Sequence, residues 1–340
     1  MRTTPRLRAT GGARAEILTV LGDFAEVWLA KEGHDGLVGI NYLEKIQLAT
    51  APAMFGAILA GVDHVLVGAG VPGQIPALAS RLARCEPCVT KIALEGEEQP
   101  VDHLFDPGAL LAGHLPGPLR RPSVIAIVSL PVLAAYLARD EATRPDGFVI
   151  ETSGAAPSAR AEGAAGVQVG SAFALCEESA MAPHLREELR GRAHEGTLTV
   201  RNDPEASPTA FPFEVAELPG TVSEPEVAAA RRRVCDLGFL RTPVRGPRGL
   251  AYRCAAEPVG SYVRKGGDAA DTRGRQCLCN GLLATIGLAQ RRPGGRVEPP
   301  LVTIGKDLSF LPVLSPGAGP YTAADVVRWP AAGAGEQVRG

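Results

Sequence analysis

The sequence lacks an excess of charge of either sign. It contains 35 lysines and arginines and 37 aspartates and glutamates among 340 residues, which gives a net charge of −2. Proteins that bind nucleic acid carry a concentrated basic face, so we expect no nucleic-acid partner. The densest basic run, residues 231–233, is interpreted as the solvated face of a helix.

Long apolar runs are also missing. Residues 124–138 are the most apolar stretch, but Pro131 interrupts them and they are too short to cross a bilayer. The arginines near the N-terminus are not followed by an apolar segment, so we expect no secretory signal. Seven cysteines, an odd number, are typical of reduced thiols. These features predict a cytoplasmic protein with no membrane partner.

What the sequence does contain is a regular alternation of short apolar runs and helical periodicity. Apolar runs of strand length alternate with helices when parallel strands are joined by crossover helices, and ligands then lie at the carboxyl ends of the strands. An amphipathic helix is predicted over residues 16–31. Strands are predicted at 37–43, 63–70, 88–96, 123–130, 147–152 and 166–170, and helices at 52–62, 75–84 and 131–140.

The composition changes after about residue 185. Residues 184–196 predict a charged helix, and the chain that follows is rich in proline, glycine and arginine, with few strand signals. Residues 277–290 predict another helix within this part. We interpret residues 190–340 as a loop-rich, partly helical C-terminal extension.

A small-residue turn at residues 162–179 raises the question of anion binding. Gly170 and Ser171 follow a short apolar run and open a predicted helix. Backbone N–H groups at a helix start bind phosphate, and glycine allows the ligand to approach closely. An ordinary tight turn, with Gly170 chosen for backbone shape, explains the same residues.

Two stretches resemble the nitronate monooxygenase family, also called 2-nitropropane dioxygenases. These are "GINYLEKIQLATAPAMFGAILAGVDHVLVGAG" at 39–70 and "GAAGVQVGSAFALCEES" at 163–179. Later segments, such as "CDLGFLRTP" and "CLCNGLLATIGL", resemble the C-terminal extension of a longer bacterial subgroup. The resemblance implies an FMN-dependent TIM-barrel oxidoreductase that oxidises an alkyl nitronate or a similar stabilised carbanion, with O2 reoxidising the flavin.

The same resemblance implies a set of cofactor-binding residues. Asn41 matches the asparagine that contacts the flavin, and Glu151 falls where the family usually has a flavin-contacting glutamine. The turn on the last barrel strand binds the FMN phosphate in the family, and it matches Gln168, Val169, Gly170 and Ser171. Exposed N–H groups and the hydroxyl of Ser171 suit that role.

The sequence departs from the family pattern in two places. The Met-Gly strand and the second strand that precede "GIN" are not found, so we expect the first two strands of the barrel to be missing. Between residues 147–151 and 166–170 there are only about fifteen residues, too few for the helix, strand and helix of the family. The catalytic histidine belongs to that segment. Only His34 and Glu151 stand as weak catalytic candidates.

The predicted fold is therefore an α/β protein with an incomplete or degenerate TIM barrel. We predict a disordered N-terminus at 1–15, a partial FMN-binding barrel at 16–189 and the extension at 190–340. Such a barrel has free edges, which a second copy or another partner chain would cover. The alternative is a catalytically inactive, truncated homologue that serves as a binding or scaffold protein.

The cysteine pattern offers a further hypothesis. Cys85 and Cys88 have the spacing of a redox or zinc pair, and Cys277 and Cys279 could complete a four-cysteine site. The motif follows a predicted helix rather than opening one, and the second pair is spaced more tightly than usual. Buried, inert thiols are the default interpretation, so we predict no metal site.

Other polar residues are interpreted structurally. Glu44 and Lys45 follow a predicted strand at the end where ligands bind, and Lys91 interrupts another strand. Each is more often solvent-facing or ion-paired. His64 begins a strand and is interpreted as structural. The remaining histidines show no ligand spacing and are predicted to be solvated; they are His103, His114, His184 and His194.

Overall fold

A computed structural model describes residues 6–9, 12–141, 143–150, 168–246 and 249–332. The chain forms two compact units. The first comprises Met1–Thr152 with Phe239–Tyr252, and the second comprises Ser153–Gly238 with Arg253–Gly340. Residues 168–189, predicted as the end of the partial barrel, belong to the second unit.

The strands and helices follow one another along the described residues. The strands are β1 (Gly39–Leu43), β2 (His64–Gly68), β3 (Cys88–Ile92), β4 (Val101–Phe105), β5 (Ser123–Val128), β6 (Gly147–Ile150), β7 (Val200–Asp203), β8 (Phe213–Ala216), β9 (Thr242–Gly246) and β10 (Gly249–Arg253). The helices are α1 (Ala13–Ala30), α2 (Gln47–Leu59), α3 (Ile75–Ala83), α4 (Pro107–Leu110), α5 (Pro131–Leu137), α6 (Ser171–Ala174), α7 (Pro183–His194), α8 (Pro225–Ala230), α9 (Val259–Arg264), α10 (Leu278–Thr285), α11 (Leu311–Leu314) and α12 (Ala323–Ala332).

The first unit is built on a four-stranded parallel sheet in the order β1-β2-β5-β6. One face of the sheet is buried: Val65 and Val124 are fully inaccessible and pack in the core with α2 and α3. α2 is apolar on nearly all sides, and its residues 50–58 are buried. A helix that is hydrophobic all round belongs inside a core. The parallel α/β prediction is confirmed here, with α1 to α3, α5, β1, β2, β5 and β6 close to their predicted positions.

α1 packs closely on α2 because Gly56 has no side chain. A Cβ at position 56 would overlap the carbonyl oxygen of Val20 and lie 3.0 Å from its carbonyl carbon. Residues Val20 and Val27 of α1 join the core of the first unit. α1 begins at Ala13, three residues before the predicted start.

One predicted parallel strand belongs to a separate hairpin. β3 pairs antiparallel with β4, with Cys88 opposite Phe105 and Ile92 opposite Val101. The connection between them is short and turns through Gly96, which has a φ of 78°. Antiparallel neighbours need only a short loop, whereas parallel neighbours need a crossover. β4 was missed because His103 replaces an apolar residue on its buried side.

The four-stranded sheet is open in the part of the chain that the structure describes. β1 and β6 are its edges, and no closed barrel forms from these strands. The observed class is a mixed α/β fold with one parallel sheet and several two-stranded antiparallel pairs. The predicted α/β class is confirmed, whereas the incomplete TIM barrel stays a prediction.

The second unit has its own apolar core. Leu175, Leu189, Val302 and Val326 are inaccessible within it, and α7 and α12 pack around them. The hairpin of β7 and β8 was not predicted; Val200 lies opposite Ala216 in it. The predicted helices at 184–196 and 277–290 are confirmed as α7 and α10.

The basic run at 231–233 is not the solvated helix face that was predicted. α8 ends at Ala230, and only 4% of the Arg231 side chain is exposed. Arg233 is partly buried and donates hydrogen bonds to four backbone carbonyls. Charge spacing alone does not reveal such buried arginines, because their acceptors are distant in sequence. Among the described helices, none has the length and apolar character that a membrane span requires.

Candidate functional site

The carboxyl edge of the parallel sheet is shaped by Glu44 and Gly70. Glu44 follows β1, and its backbone N–H donates to Gly68 O at 2.9 Å. A Cβ at position 70 would lie 2.8 Å from the Glu44 Cβ, so only glycine at this position leaves room for the Glu44 side chain. Ala69, between the two glycines, has a φ of 59°, which non-glycine residues adopt rarely. The loop after β2 is therefore shaped to fit the side chain that follows β1.

Glu44 is also tied to the helix that follows it. Gln47 donates its side-chain N–H to Glu44 Oε1 at 3.3 Å and accepts the Ala93 N–H at 3.0 Å. The neighbouring Lys45 is largely exposed, although partial burial lowers its pKa and the charge of Glu44 opposes that shift. The edge thus holds one oriented carboxylate beside one cation.

Asn41 lies on the sheet face that the helices do not cover. It is exposed on the edge strand β1, and in the register it stands opposite Leu66, which stands opposite Ile125. Side chains at paired positions of neighbouring strands point to the same face. Leu66 and Ile125 are partly exposed, in contrast to the buried valines on the other side. The result is a partly exposed apolar surface with an amide at its margin.

The predicted phosphate turn lies in the second unit, whereas Asn41 lies in the first. Residues 168–170 are not a strand, but a short helix, α6, begins at Ser171 as predicted. Gln168 and Gly170 are exposed, and a Cβ at Gly170 would meet no atom within 4 Å. Val169 packs partly against the core of this unit. Ser171 Oγ accepts a hydrogen bond from Gly305 N–H at 3.0 Å.

The two weak catalytic candidates have different outcomes. His34 is exposed in the loop after α1, where its Nδ1 accepts from Gly36 N–H at 3.0 Å and its Nε2 lies 2.6 Å from Ala30 O. Both ring nitrogens therefore contact backbone atoms near their own loop. His34 also precedes β1, so it does not lie at the carboxyl end of that strand, where ligands bind in parallel sheets. The structure favours the structural interpretation of His34. Glu151 lies outside the described residues.

The prediction of a solvated His103 is wrong. The side chain is 1% exposed on the inner side of β4, with Nε2 3.2 Å from Glu16 Oε1 and Nδ1 3.4 Å from Thr90 Oγ1. The strand alternation that buries Phe105 also buries His103, while Leu104 faces outward. Lys91, on the partner strand, forms an exposed ion pair with Asp102 at 2.6 Å.

A shallow concavity of the second unit is lined by one side of α7 and the residues just after it. Its lining includes His184, Glu187, Glu188, Arg192 and Thr197. Arg192 is already paired with Glu188, with Nε 2.5 Å from Oε1. The remaining lining is mainly acidic, which does not suit an anionic ligand. None of the residues predicted to bind flavin belongs to it.

The two cysteine pairs picked out by spacing, for which no metal site was predicted, belong to different units. Cys85 and Cys88 are buried in the core of the first unit, where burial raises the pKa of the Cys88 thiol to about 12. Cys277 and Cys279 belong to the second unit. They gather there with Cys235 and Cys254, which sequence spacing did not single out. Cys235 lies in a segment that resembles the C-terminal extension, which is the only sequence signal for it, and Cys254 lies in none of those segments.

Among the described residues, no group of three or more histidine, cysteine, aspartate or glutamate side chains already stands in a metal-binding arrangement. Comparisons with family models, curated proteins and solved structures find no match for this chain.

Proposed function

We propose that this chain binds FMN and acts as a flavin-dependent oxidoreductase of the nitronate monooxygenase kind. The observation that carries the proposal is the exposed turn of the second unit where α6 begins. FMN carries a phosphate group, and backbone N–H groups beside a glycine at the start of a helix can contact such an anion.

The exposed turn at Gly170 and Ser171 supports the phosphate part of the proposal. Gly170 leaves open space for a ligand. The bond from Gly305 uses Ser171 Oγ as an acceptor, so the hydroxyl hydrogen is left to donate to a phosphate oxygen. The fit is partial, because Glu151 is not described and no histidine follows β6 within the residues that match the family.

Among the described residues no side chain is assigned as a catalytic base, and this favours one class of substrate. A neutral nitroalkane must lose a proton from carbon before it is oxidised, whereas a nitronate is already a carbanion. FMN, when bound, accepts the electrons of such a substrate and passes them to O2. The residues of this chain would bind and orient both molecules. We therefore propose an anionic nitronate as the substrate rather than the neutral nitroalkane.

Reconstitution with flavin tests the proposal. The purified full-length chain is mixed with FMN, and retention of the yellow chromophore is followed by absorbance and by quenching of flavin fluorescence. Gly170→Asp should weaken binding at least tenfold, since its carboxylate would repel the phosphate. Gly170→Ala should retain binding, because the added methyl group has room. Equal binding by the two variants would remove the turn from the site.

Measurements of turnover test the proposed substrate independently of cofactor binding. A reconstituted chain should consume O2 with an alkyl nitronate and react at least tenfold more slowly with the neutral nitroalkane. A folded chain that never binds FMN would contradict the proposal.

The second candidate, a non-catalytic binding protein, is favoured by a different observation. α1 exposes a row of large apolar side chains, with Leu21 58% and Trp28 57% accessible. Apolar rows of this kind mark interaction surfaces. A colourless chain that elutes as a stable oligomer would favour this candidate over the flavoenzyme.

A further inference from the structure

Four cysteines of the second unit come together from three segments. Cys254 and Cys277 are buried in one small cluster, and Cys235 and Cys279 pack against it. Cys235 lies in the coil after α8, Cys254 directly follows β10, and Cys277 and Cys279 begin α10. The thiols of Cys235 and Cys254 are hydrogen-bonded to each other. Cys277 lies within the range of electrostatic interaction with both Cys235 and Cys279.

Arg233 holds the three segments in place. Its guanidinium donates to the carbonyls of Ala255 and Glu257, just after Cys254. It also donates to Thr272 O at 3.0 Å and to Arg275 O at 3.3 Å, just before Cys277. Arg233 itself lies two residues before Cys235. The backbone around the cluster is therefore held by a partly buried cation with four carbonyl acceptors and does not depend on thiol packing alone.

Two of the sulfur atoms accept backbone hydrogen bonds. The N–H of Ala256 donates to the Cys254 sulfur, and the N–H of Asn280 donates to the Cys277 sulfur. The larger effects act the other way in the metal-free chain: the hydrogen bond with Cys235 and burial raise the pKa of Cys254, and burial raises the pKa of Cys277, so the two N–H groups serve to orient the sulfur atoms. Hydrogen bonds of this kind orient sulfur ligands in metal sites.

A buried guanidinium beside the cluster lacks a hydrogen-bond acceptor. The Arg231 side chain is 4% exposed, and its charge acts on Cys277. Its Nη2 has no partner among the described residues, although Nε is paired with Glu298. Buried donors without an acceptor are uncommon and costly. A thiolate held at Cys277 would supply an acceptor and a counter-charge.

We propose that Cys235, Cys254, Cys277 and Cys279 bind one Zn²⁺ ion as a structural site of the second unit. Zinc prefers four sulfur ligands in a tetrahedron, and sites of this kind stabilise segments that have little other structure. The described thiols are gathered but not in ligand positions, so the sulfur atoms move together on binding.

The charges of the site balance. The four thiols lose four protons to solvent and bond to the ion, which gives up its bound water, and no electrons are transferred. Four thiolates and one Zn²⁺ carry a net charge of −2. Arg231 and Arg233 supply two positive charges beside them. An uncompensated cluster of this charge would be unfavourable in a buried position.

Metal analysis of the full-length chain tests the proposal. The chain is purified under reducing conditions without chelators, and its zinc content is measured by elemental mass spectrometry. One equivalent of zinc per chain is expected. After removal of the metal, Co²⁺ should produce the sulfur-to-cobalt charge-transfer and ligand-field bands of a tetrahedral four-thiolate site, and Zn²⁺ should abolish these bands.

Matched cysteine variants locate the site. Cys254→Ser and Cys277→Ser should weaken Co²⁺ binding about 100-fold or more. Cys176→Ser is the control, because Cys176 is a buried cysteine of the same unit that lies in the main apolar core. Its metal content should not change. Cys279→His retains a ligand, so it should bind Co²⁺ with shifted bands and shows the site even if a serine variant fails to fold.

Three results would overturn the proposal. The first is a reduced wild-type chain that binds neither Zn²⁺ nor Co²⁺, and the second is equal metal content in Cys277→Ser and the wild type. The third is a disulfide or an iron–sulfur cluster on these cysteines, detected by mass analysis of the alkylated chain or by acid-labile sulfide.

Discussion

Arg231 and Glu298 form a buried ion pair that closes a polar network in the second unit. Their side chains are 4% and 3% exposed, and Arg231 Nε lies 2.5 Å from Glu298 Oε1. Arg292 donates to the other oxygen of Glu298 at 3.0 Å and to Asp236 at 2.7 Å. Asn280, 0% exposed, donates to the same Asp236 at 2.8 Å. The network therefore runs from the residue after Cys235 to the residue after Cys279.

Loss of the Glu298 carboxylate should strongly destabilise the folded chain. Glu298→Ala leaves a buried guanidinium without its counter-charge, and breaking such a pair costs about 3–5 kcal/mol. Asp102→Ala is the control, since it removes an exposed pair with Lys91 and should cost less than about 1 kcal/mol. Urea denaturation of both variants, in the presence of a reductant and a chelator, measures the difference. Similar losses in the two variants would contradict the assigned burial.

The contact between α1 and α2 predicts a large effect of one methyl group. Gly56→Ala places its Cβ against the Val20 carbonyl, which is backbone and cannot move aside. We expect a loss of about 1–3 kcal/mol from this overpacking. Gly22→Ala in α1 has open space around it and should stabilise the helix by up to about 1 kcal/mol. Thermal denaturation should therefore shift in opposite directions. A stable Gly56→Ala variant would show that the helices do not approach so closely.

A partly buried carboxyl group predicts a dependence of stability on pH. Burial raises the pKa of Asp23 from 3.8 to about 6, and the Tyr42 hydroxyl, 3.3 Å away, partly opposes the shift. The folded state then binds a proton more tightly than the unfolded state, so this group makes the protein less stable as the pH rises from about 4 to 6.

Asn at position 23 should remove that dependence. Asp23→Asn keeps an acceptor for Tyr42 and should stabilise the chain by about 1 kcal/mol at pH 7.5, with little effect at pH 4. Glu32→Gln, an exposed change after the same helix, is the control for the loss of one negative charge. Denaturation at the two pH values measures both. A stabilisation that is equal at pH 4 and pH 7.5 would rule out titration of Asp23 as its cause.

The sequence predicted the parallel core of the first unit well, for a physical reason. β2 and β5 adjoin helices of clear periodicity in the sequence, and the side of each strand that packs against those helices is apolar. The hairpin of β3 and β4 was harder, because His103 and Thr90 are buried there with polar partners. The outward positions of β4 hold Asp102 and Leu104, so the pattern does not alternate cleanly.

The candidate sites were predictable only where neighbouring residues define them. Gly170 and Ser171 were correctly expected to open a helix because they adjoin it. The cluster of Cys235 with Cys254 depends on carbonyl acceptors for Arg233 that lie 22 to 42 residues away. No local spacing encodes such contacts. Spacing instead suggested the pair of Cys85 and Cys88, which is buried in a different unit.

Asp63 joins three elements of the first unit through one carboxylate. Its side chain is 8% exposed and accepts from Lys31 Nζ at 2.6 Å, from Val38 N–H at 2.8 Å and from the Arg120 guanidinium. Lys31 ends α1, Val38 precedes β1, and Arg120 precedes β5. The hydrogen bond from Lys31 is the main cause that holds the Asp63 pKa well below its usual range.

Removing the Asp63 carboxylate should cost more than removing its counterpart Asp146, which precedes β6, two strands along the sheet. Asp63→Asn should cost about 3 kcal/mol at pH 7, because two cations lose their partner. Asp146→Asn is the control: Asp146 also accepts from a guanidinium and a strand N–H, but its side chain is 41% exposed, so about 1 kcal/mol is expected. A depressed pKa stabilises the folded state above about pH 4, and this contribution is lost as the pH falls further. The wild type should therefore lose stability below pH 4 while Asp63→Asn changes less, and parallel acid denaturation curves for the two chains would contradict the assigned role of Asp63.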